Sequence, residues 1–148
     1  MEIRIGHLEH EFISLDVINR CHPQATDFED GNWLNVDVAL AAGGFRASFR
    51  SQLRAEEFVA FQNQLAKLYQ SLSGQAIFAT LDGWLSLAIT GDGRGHLAIK
   101  GEAIDEPGIG NTLKFGFELD QTFLPELLDG LEKVNKAFPT IGKNDATA

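Results

Sequence analysis

Histidine and cysteine are the first places to look for chemistry, and this chain has four of the former and one of the latter. His7 and His10, followed by the Cys21-His22 pair, offer imidazole and thiolate groups of the kind that hold zinc. Their spacing matches no zinc pattern and only one thiolate is on offer, so they read as surface histidines and one buried thiol, with no metal and no cofactor expected. His96 falls alone on an outward strand position and reads as exposed. Gly91-Asp92-Gly93-Arg94-Gly95 resembles a phosphate-cradling loop, but a strand rather than a helix follows it. No helix N-terminus then stands behind the glycines, and the stretch reads as a hairpin turn. Nucleophile-elbow, His-Glu-x-x-His and calcium-loop patterns are all absent from the sequence.

Carboxylates are a subtler case, because acid pairs that work together are often distant in sequence. Counting in twos along the strands turns Asp16, Asp37 and Glu118 outward, together with Arg46, Arg50 and Lys114. Cross-strand ion pairing accounts for that arrangement, and an open sheet face has no walls to exclude water and shift a pKa usefully. The chain is therefore expected not to be an enzyme. The same counting puts Trp33 beside Asn35 and Asp37, opposite Leu34, Val36 and Val38, and it puts Trp84 on the side of Ser86. Tryptophans on a polar sheet face point to a binding surface, since tryptophan is enriched where partners dock. The expected partner-binding residues are Trp33, Asn35, Asp37, Trp84 and Ser86, with the acidic stretch Glu102, Asp105 and Glu106 as a further contact or a solvated loop. The alternative for the tryptophans is that Met1 to Leu8 fold over that face and cover them.

Strands and helices must position these groups. Alternating apolar residues predict strands over Glu11 to Cys21, Trp33 to Ala41, Phe45 to Leu53, Ala76 to Leu81, Gly83 to Thr90, Gly95 to Ile104 and Thr112 to Leu119. His22 to Asn32 and Asp105 to Asn111 read as loops, and Gly43-Gly44 permits a reversal. Phe58, Phe61, Leu65, Leu68 and Leu72 have the spacing of one helix face, with Glu56 and Glu57 in the first turn and Gly74 just past the end. A second helix, with Thr122 as N-cap and Pro125 in its first turn, runs to Pro139. Its stripe Leu124, Leu127, Leu131, Val134 and Phe138 repeats the first one 66 residues later. The expected fold is α+β: an antiparallel sheet of about seven strands with two amphipathic helices packed on one face. The order is ββ(β)α-ββββα, with a pseudo-repeat of meander-plus-helix units. One domain spans 1–148, with 140–148 as a flexible tail.

The bulk properties agree with this. At 148 residues the chain has the commonest single-domain size, and 44% hydrophobic against 22% charged residues is ordinary for a globular domain. No apolar run approaches bilayer length and the N-terminus lacks a secretory pattern, so no membrane role is expected. A lone cysteine cannot close an intrachain disulfide, which fits a reducing cytoplasm. Twenty-one acids against 12 bases leave a net charge of −9, which disfavours direct nucleic-acid binding and favours a basic protein partner.

Leu113-Lys-Phe-Gly-Phe-Glu-Leu-Asp-Gln-Thr-Phe-Leu-Pro125, followed by a leucine-rich helix ending at Phe138-Pro139, resembles the WapI-type immunity proteins. The strand pair, Phe-rich strand, Glu56-Glu57-Phe58 helix start and following meander extend the resemblance over nearly the whole chain. The sharpest residues are strand and cap residues, so they report fold more than function. The resemblance implies a cytoplasmic protein that binds and blocks the toxic domain of a secreted bacterial toxin, often a nuclease. It supplies no binding motif to transfer. The competing readings are a self-associating module, since an exposed sheet face equally allows a homodimer, or a small-ligand-binding one. An enzyme assembled from residues distant in sequence ranks last.

Overall fold

From Trp33 to Leu40 buried and accessible residues alternate as the sequence pattern requires: Leu34, Val36, Val38 and Leu40 are buried, and Trp33, Asn35, Asp37 and Ala39 between them are half-buried. The computed structural model describes residues 1–144. Its elements are β1 (Glu2–Gly6), β2 (Phe12–Arg20), α1 (Phe28–Gly31), β3 (Trp33–Ala42), β4 (Phe45–Arg54), α2 (Ala55–Ser71), β5 (Ser73–Ala79), β6 (Leu85–Asp92), β7 (His96–Ile104), β8 (Thr112–Asp120) and α3 (Phe123–Ala137). The fold class is α+β and every strand pairing is antiparallel.

Eight strands divide into two four-stranded meanders, β1-β2-β3-β4 and β5-β6-β7-β8, each followed by a long helix. The first unit thus has four strands: Glu2–Gly6, outside the predicted strands, pairs along β2. Alternation reports which way a side chain faces and says nothing about partners. Here the helix between β4 and β5 separates the halves, so β5 pairs with β6 and starts a second sheet. The two inner faces and the helices share one core cluster, in which α2 packs on β5 and α3, and α3 packs on β1. Phe58, Phe61, Leu65 and Leu68 of α2, and Leu124, Leu127, Leu131 and Val134 of α3, are the buried stripes. Thr122 precedes α3 without capping it; Asp120 Oδ1 instead accepts from the Thr122 amide at 2.8 Å and from its hydroxyl.

The end of α2 explains one glycine. Leu72 takes a left-handed conformation (φ 57°) and its carbonyl accepts from Gly93 N at 2.8 Å. A Cβ on Gly91 would lie 2.3 Å from that carbonyl oxygen, so only glycine lets the helix end close onto β6.

His22 to Asn32, expected as loop throughout, contains the single turn α1, capped by Asp27 through its bond from Asp30 N at 3.0 Å. Asn32, wholly buried, fastens this turn to the C-terminal segment. Its amide donates to Phe28 O at 3.0 Å and Ile141 O at 2.9 Å, and its Oδ1 accepts from Ile141 N at 2.8 Å. Arg20 adds bonds to Gly31 O at 2.7 Å and Pro139 O at 2.6 Å. Ile141, in the stretch expected as a tail from Thr140 onward, thus bonds Asn32 through both its N–H and its carbonyl; positions 145–148 lie outside the described residues. Asn32→Ala deletes three bonds and takes from the part-buried Ile141 N–H and C=O the partners they have here, at a cost of about 2–3 kcal/mol. A lowered urea midpoint, with faster amide exchange at Ile141, is the expected result, and wild-type values for both would show these bonds to be idle.

Candidate partner-binding surface

At the end of β4 the chain must turn from strand into helix, and the turning residue is a buried arginine. Arg54, only 5% exposed, lies opposite Trp33 in the β3–β4 register. Its guanidinium carbon sits 4.7 Å from the centre of the Trp33 ring and 4.9 Å from that of Phe28. One terminal nitrogen donates to Glu29 O at 2.8 Å, the other to Phe28 O at 2.7 Å, and Nε donates to the Glu56 carboxylate. A buried charge is tolerated when it is paired and hydrogen-bonded, and here one carboxylate pairs the charge while each of the three guanidinium nitrogens donates one bond. The arrangement fixes Trp33 on the outer face of the first sheet. Beside it opens a groove of about 500 Å³ lined by Phe28, Glu29, Asp30, Trp33, Glu56 and Leu81, the last of these 71% exposed.

Trp33, Asn35 and Asp37 occupy successive outward positions on β3, as period-2 counting expects. The N-terminal residues do not cover them, because β1 lies in the plane of the sheet beyond β2. Asn35 donates to Asn19 Oδ1 at 2.9 Å and accepts from Cys21 Sγ at 3.3 Å. Burial pushes the Cys21 thiol up, away from the thiolate form. Asp37 and Arg50 form a two-pronged pair at 2.6 and 3.0 Å, and the guanidinium's bond holds the Asp37 carboxyl below its ordinary range.

The remaining predicted residues lie elsewhere. Trp84 requires a correction: it is half-buried against the core, not displayed beside Ser86, and its ring stacks on Phe49 of β4 at 6.1 Å and 15°. The physical reason is that β6 begins only at Leu85; Trp84 ends the turn in which Thr80 exchanges bonds with Leu85, and strand alternation does not extend into a turn. Ser86 and Glu102 face each other across β6 and β7 on the outer face of the second sheet, where Lys114 approaches Glu102 at 3.4 Å. A shallow hollow of about 550 Å³ runs between them over Ala88, Lys100 and Gly116. Asp105 and Glu106 belong to the β7–β8 connection, which Asp105 Oδ1 closes by accepting from Asn111 N at 2.7 Å.

Groups that might have converged on a reaction centre are dispersed. His7 and His10 lie before β2 and Cys21-His22 follow it, nine strand residues away. His96 is exposed and reaches Glu118 at 3.2 Å, while Asp16 holds the Met1 ammonium at 2.8 Å. The acid the sequence reading undervalued is Glu57. It sits at the third position of α2, accepts from Arg54 N at 2.7 Å and Leu81 N at 2.6 Å, and is pushed up to about 7, chiefly by burial. Both oxygens accept backbone N–H groups, one fixing the helix start and the other the β5–β6 turn. The spacing Arg54-x-x-Glu57 is the capping-box offset and is the signal that could have revealed it.

Linkage gives Glu57 a definite pH signature. Unfolded, it titrates near the ordinary glutamate value of 4.5; folded, at about 7, so the native state holds the extra proton between those values. Stability contributed by this proton is present below the unfolded pKa and is lost as pH rises through the folded one, by on the order of 1–3 kcal/mol. The wild-type urea midpoint, compared with that of Glu57→Gln, should fall between pH 5 and 8. Parallel pH profiles for the two proteins would refute the assignment.

No curated protein matches the chain in sequence. Among solved structures, a Trypanosoma MRP1/MRP2 structure is 12% identical, covering 93% of this chain and 83% of that one with a TM-score of 0.47. A family model described as the Immunity protein WapI-like family matches residues 4–139. That span runs from within β1 to the residue after the α3 cap, and so takes in both meander-plus-helix units and every site residue considered above. The chain belongs to the WapI-like immunity protein family.

Proposed function

We propose that this protein acts without catalysis, binding a basic bacterial toxin domain, of which a nuclease is the favoured kind, and blocking it in the cytoplasm of the cell that makes it. Family membership over 4–139 is the observation that carries this reading. An excess of nine negative charges supports the basic partner, because complementary charge accelerates encounter and rejects wrong partners. The dispersal of the histidines supports a binding role over turnover. A lone cysteine, with no second one to close an intrachain disulfide, fits a reducing compartment.

The surface proposed to meet the partner is the outer face around Trp33, Asn35 and Asp37, with Ser86, Glu102, Asp105 and Glu106 as flanking contacts. Trp84, stacked inside, contributes by holding β4 against the second sheet. Co-expression with the products of the flanking genes, followed by purification and binding kinetics at several salt concentrations on any toxin domain among them, tests the reading. A stoichiometric complex is expected, with an association rate that falls roughly tenfold or more from 50 to 500 mM salt. Isolation of nothing but self-complexes, or turnover of a substrate by the purified chain, would overturn it.

A further inference from the structure

We infer that the groove beside Trp33 is a receptor for one cationic side chain, an arginine or lysine, projecting from the basic protein partner. The inference rests on the binding reading above and adds to it where and by what chemistry the partner is held. The walls come first. Phe28 and Trp33 are half-buried aromatic surfaces, and Leu81 is a largely exposed aliphatic one, so the aliphatic stem of a long side chain would find apolar cover on three sides. A volume of about 500 Å³ holds such a side chain with room for water.

The charges select the head group. Glu29, Asp30 and Glu56 line the groove, and among the described residues lining it Arg54 is the one cation, so three negatives less one positive leave −2 there. Arg54 already has its partners in Glu56 and two backbone carbonyls, whereas Glu29 and Asp30 are exposed and form no salt bridge among the described residues. The second oxygen of Glu56 is buried and has no hydrogen-bond donor among the described residues, which adds to the negative character of this wall. A phosphate or carboxylate would meet these acids and be repelled.

The same rings already accept a cation, since Arg54 lies within 5 Å of the centre of each, at 4.7 and 4.9 Å. The site is also built before any partner arrives. Arg54 anchors Phe28 and Trp33, Asn32 anchors α1, and Glu57 fixes Leu81 through its amide, so little ordering remains to oppose binding.

The test uses the full chain and acetyl-Gly-Arg-Gly-amide as probe, with lysine, leucine and glutamate versions of the same peptide, followed by the indole N–H resonances of Trp33 and Trp84. A saturating shift at Trp33 with the arginine or lysine peptide, absent with leucine and glutamate and absent at Trp84, is expected. Glu29→Gln combined with Asp30→Asn, two exposed changes that leave the core untouched, should weaken the probe roughly 3- to 10-fold. Trp33→Ala should abolish the response at this site, and an unchanged urea midpoint of the double variant serves as the fold control. No shift at Trp33, an equal one with leucine or glutamate, or full affinity in the double variant would each overturn the pocket. The two readings separate cleanly. A toxin-domain complex indifferent to the double variant would sink the pocket alone, and peptide binding by a chain that captures no toxin domain would keep the pocket and sink toxin blocking.

Discussion

A guanidinium taken out of water costs several kcal/mol unless its donors and its charge are all matched, and the placement of Arg54 imposes that requirement on four elements at once. Its charge is met by Glu56 at the start of α2, its donors by Phe28 and Glu29 carbonyls in α1, and its flat faces by rings from α1 and β3. Because the geometry of guanidinium donors is planar and rigid, those partners are held in one arrangement. The junction from β4 into α2, the position of the Trp33 ring and the shape of the neighbouring groove all follow from satisfying one charge.

Around that junction the apolar arrangement is conventional. Two meanders turn their inner faces to a single core, the long helices pack against each other and against β5 and β1, and Trp84 and Phe49 stack where the first sheet meets the second. Hydrophobic burial of this extent is consumed internally, so the outer sheet faces carry what is left for recognition: short polar side chains, ion pairs and one half-buried tryptophan. Such faces suit contact with another protein better than enclosure of a small substrate.

Charge is distributed in two classes. Asp37, Asp16, Glu102 and Glu132 each have a cationic neighbour and are largely accounted for at home. Glu29 and Asp30, in the α1 turn whose carbonyls bond the buried arginine, form no salt bridge among the described residues. Exposed ion pairs add little stability, so the first class mainly keeps like charges apart, and the second creates a local field directed at whatever approaches Trp33.

Periodicity alone determined the strand faces, both helix stripes and the repeat at 66 residues, because side-chain direction within an element is a local consequence of backbone geometry. It correctly turned Trp33, Asn35 and Asp37 to one face, and the sequence pattern from Leu113 to Pro125 already resembled the family to which the chain belongs. It failed at Trp84, which occupies a turn, and it divided neither the eight strands into two sheets nor the acids into paired and unpaired. Those features depend on contacts between residues far apart in the chain: Arg54 with Phe28, Asn32 with Ile141, Glu57 with Leu81, Trp84 with Phe49. Pattern within a segment tells a side chain which way to face, and only the folded whole decides what it finds there.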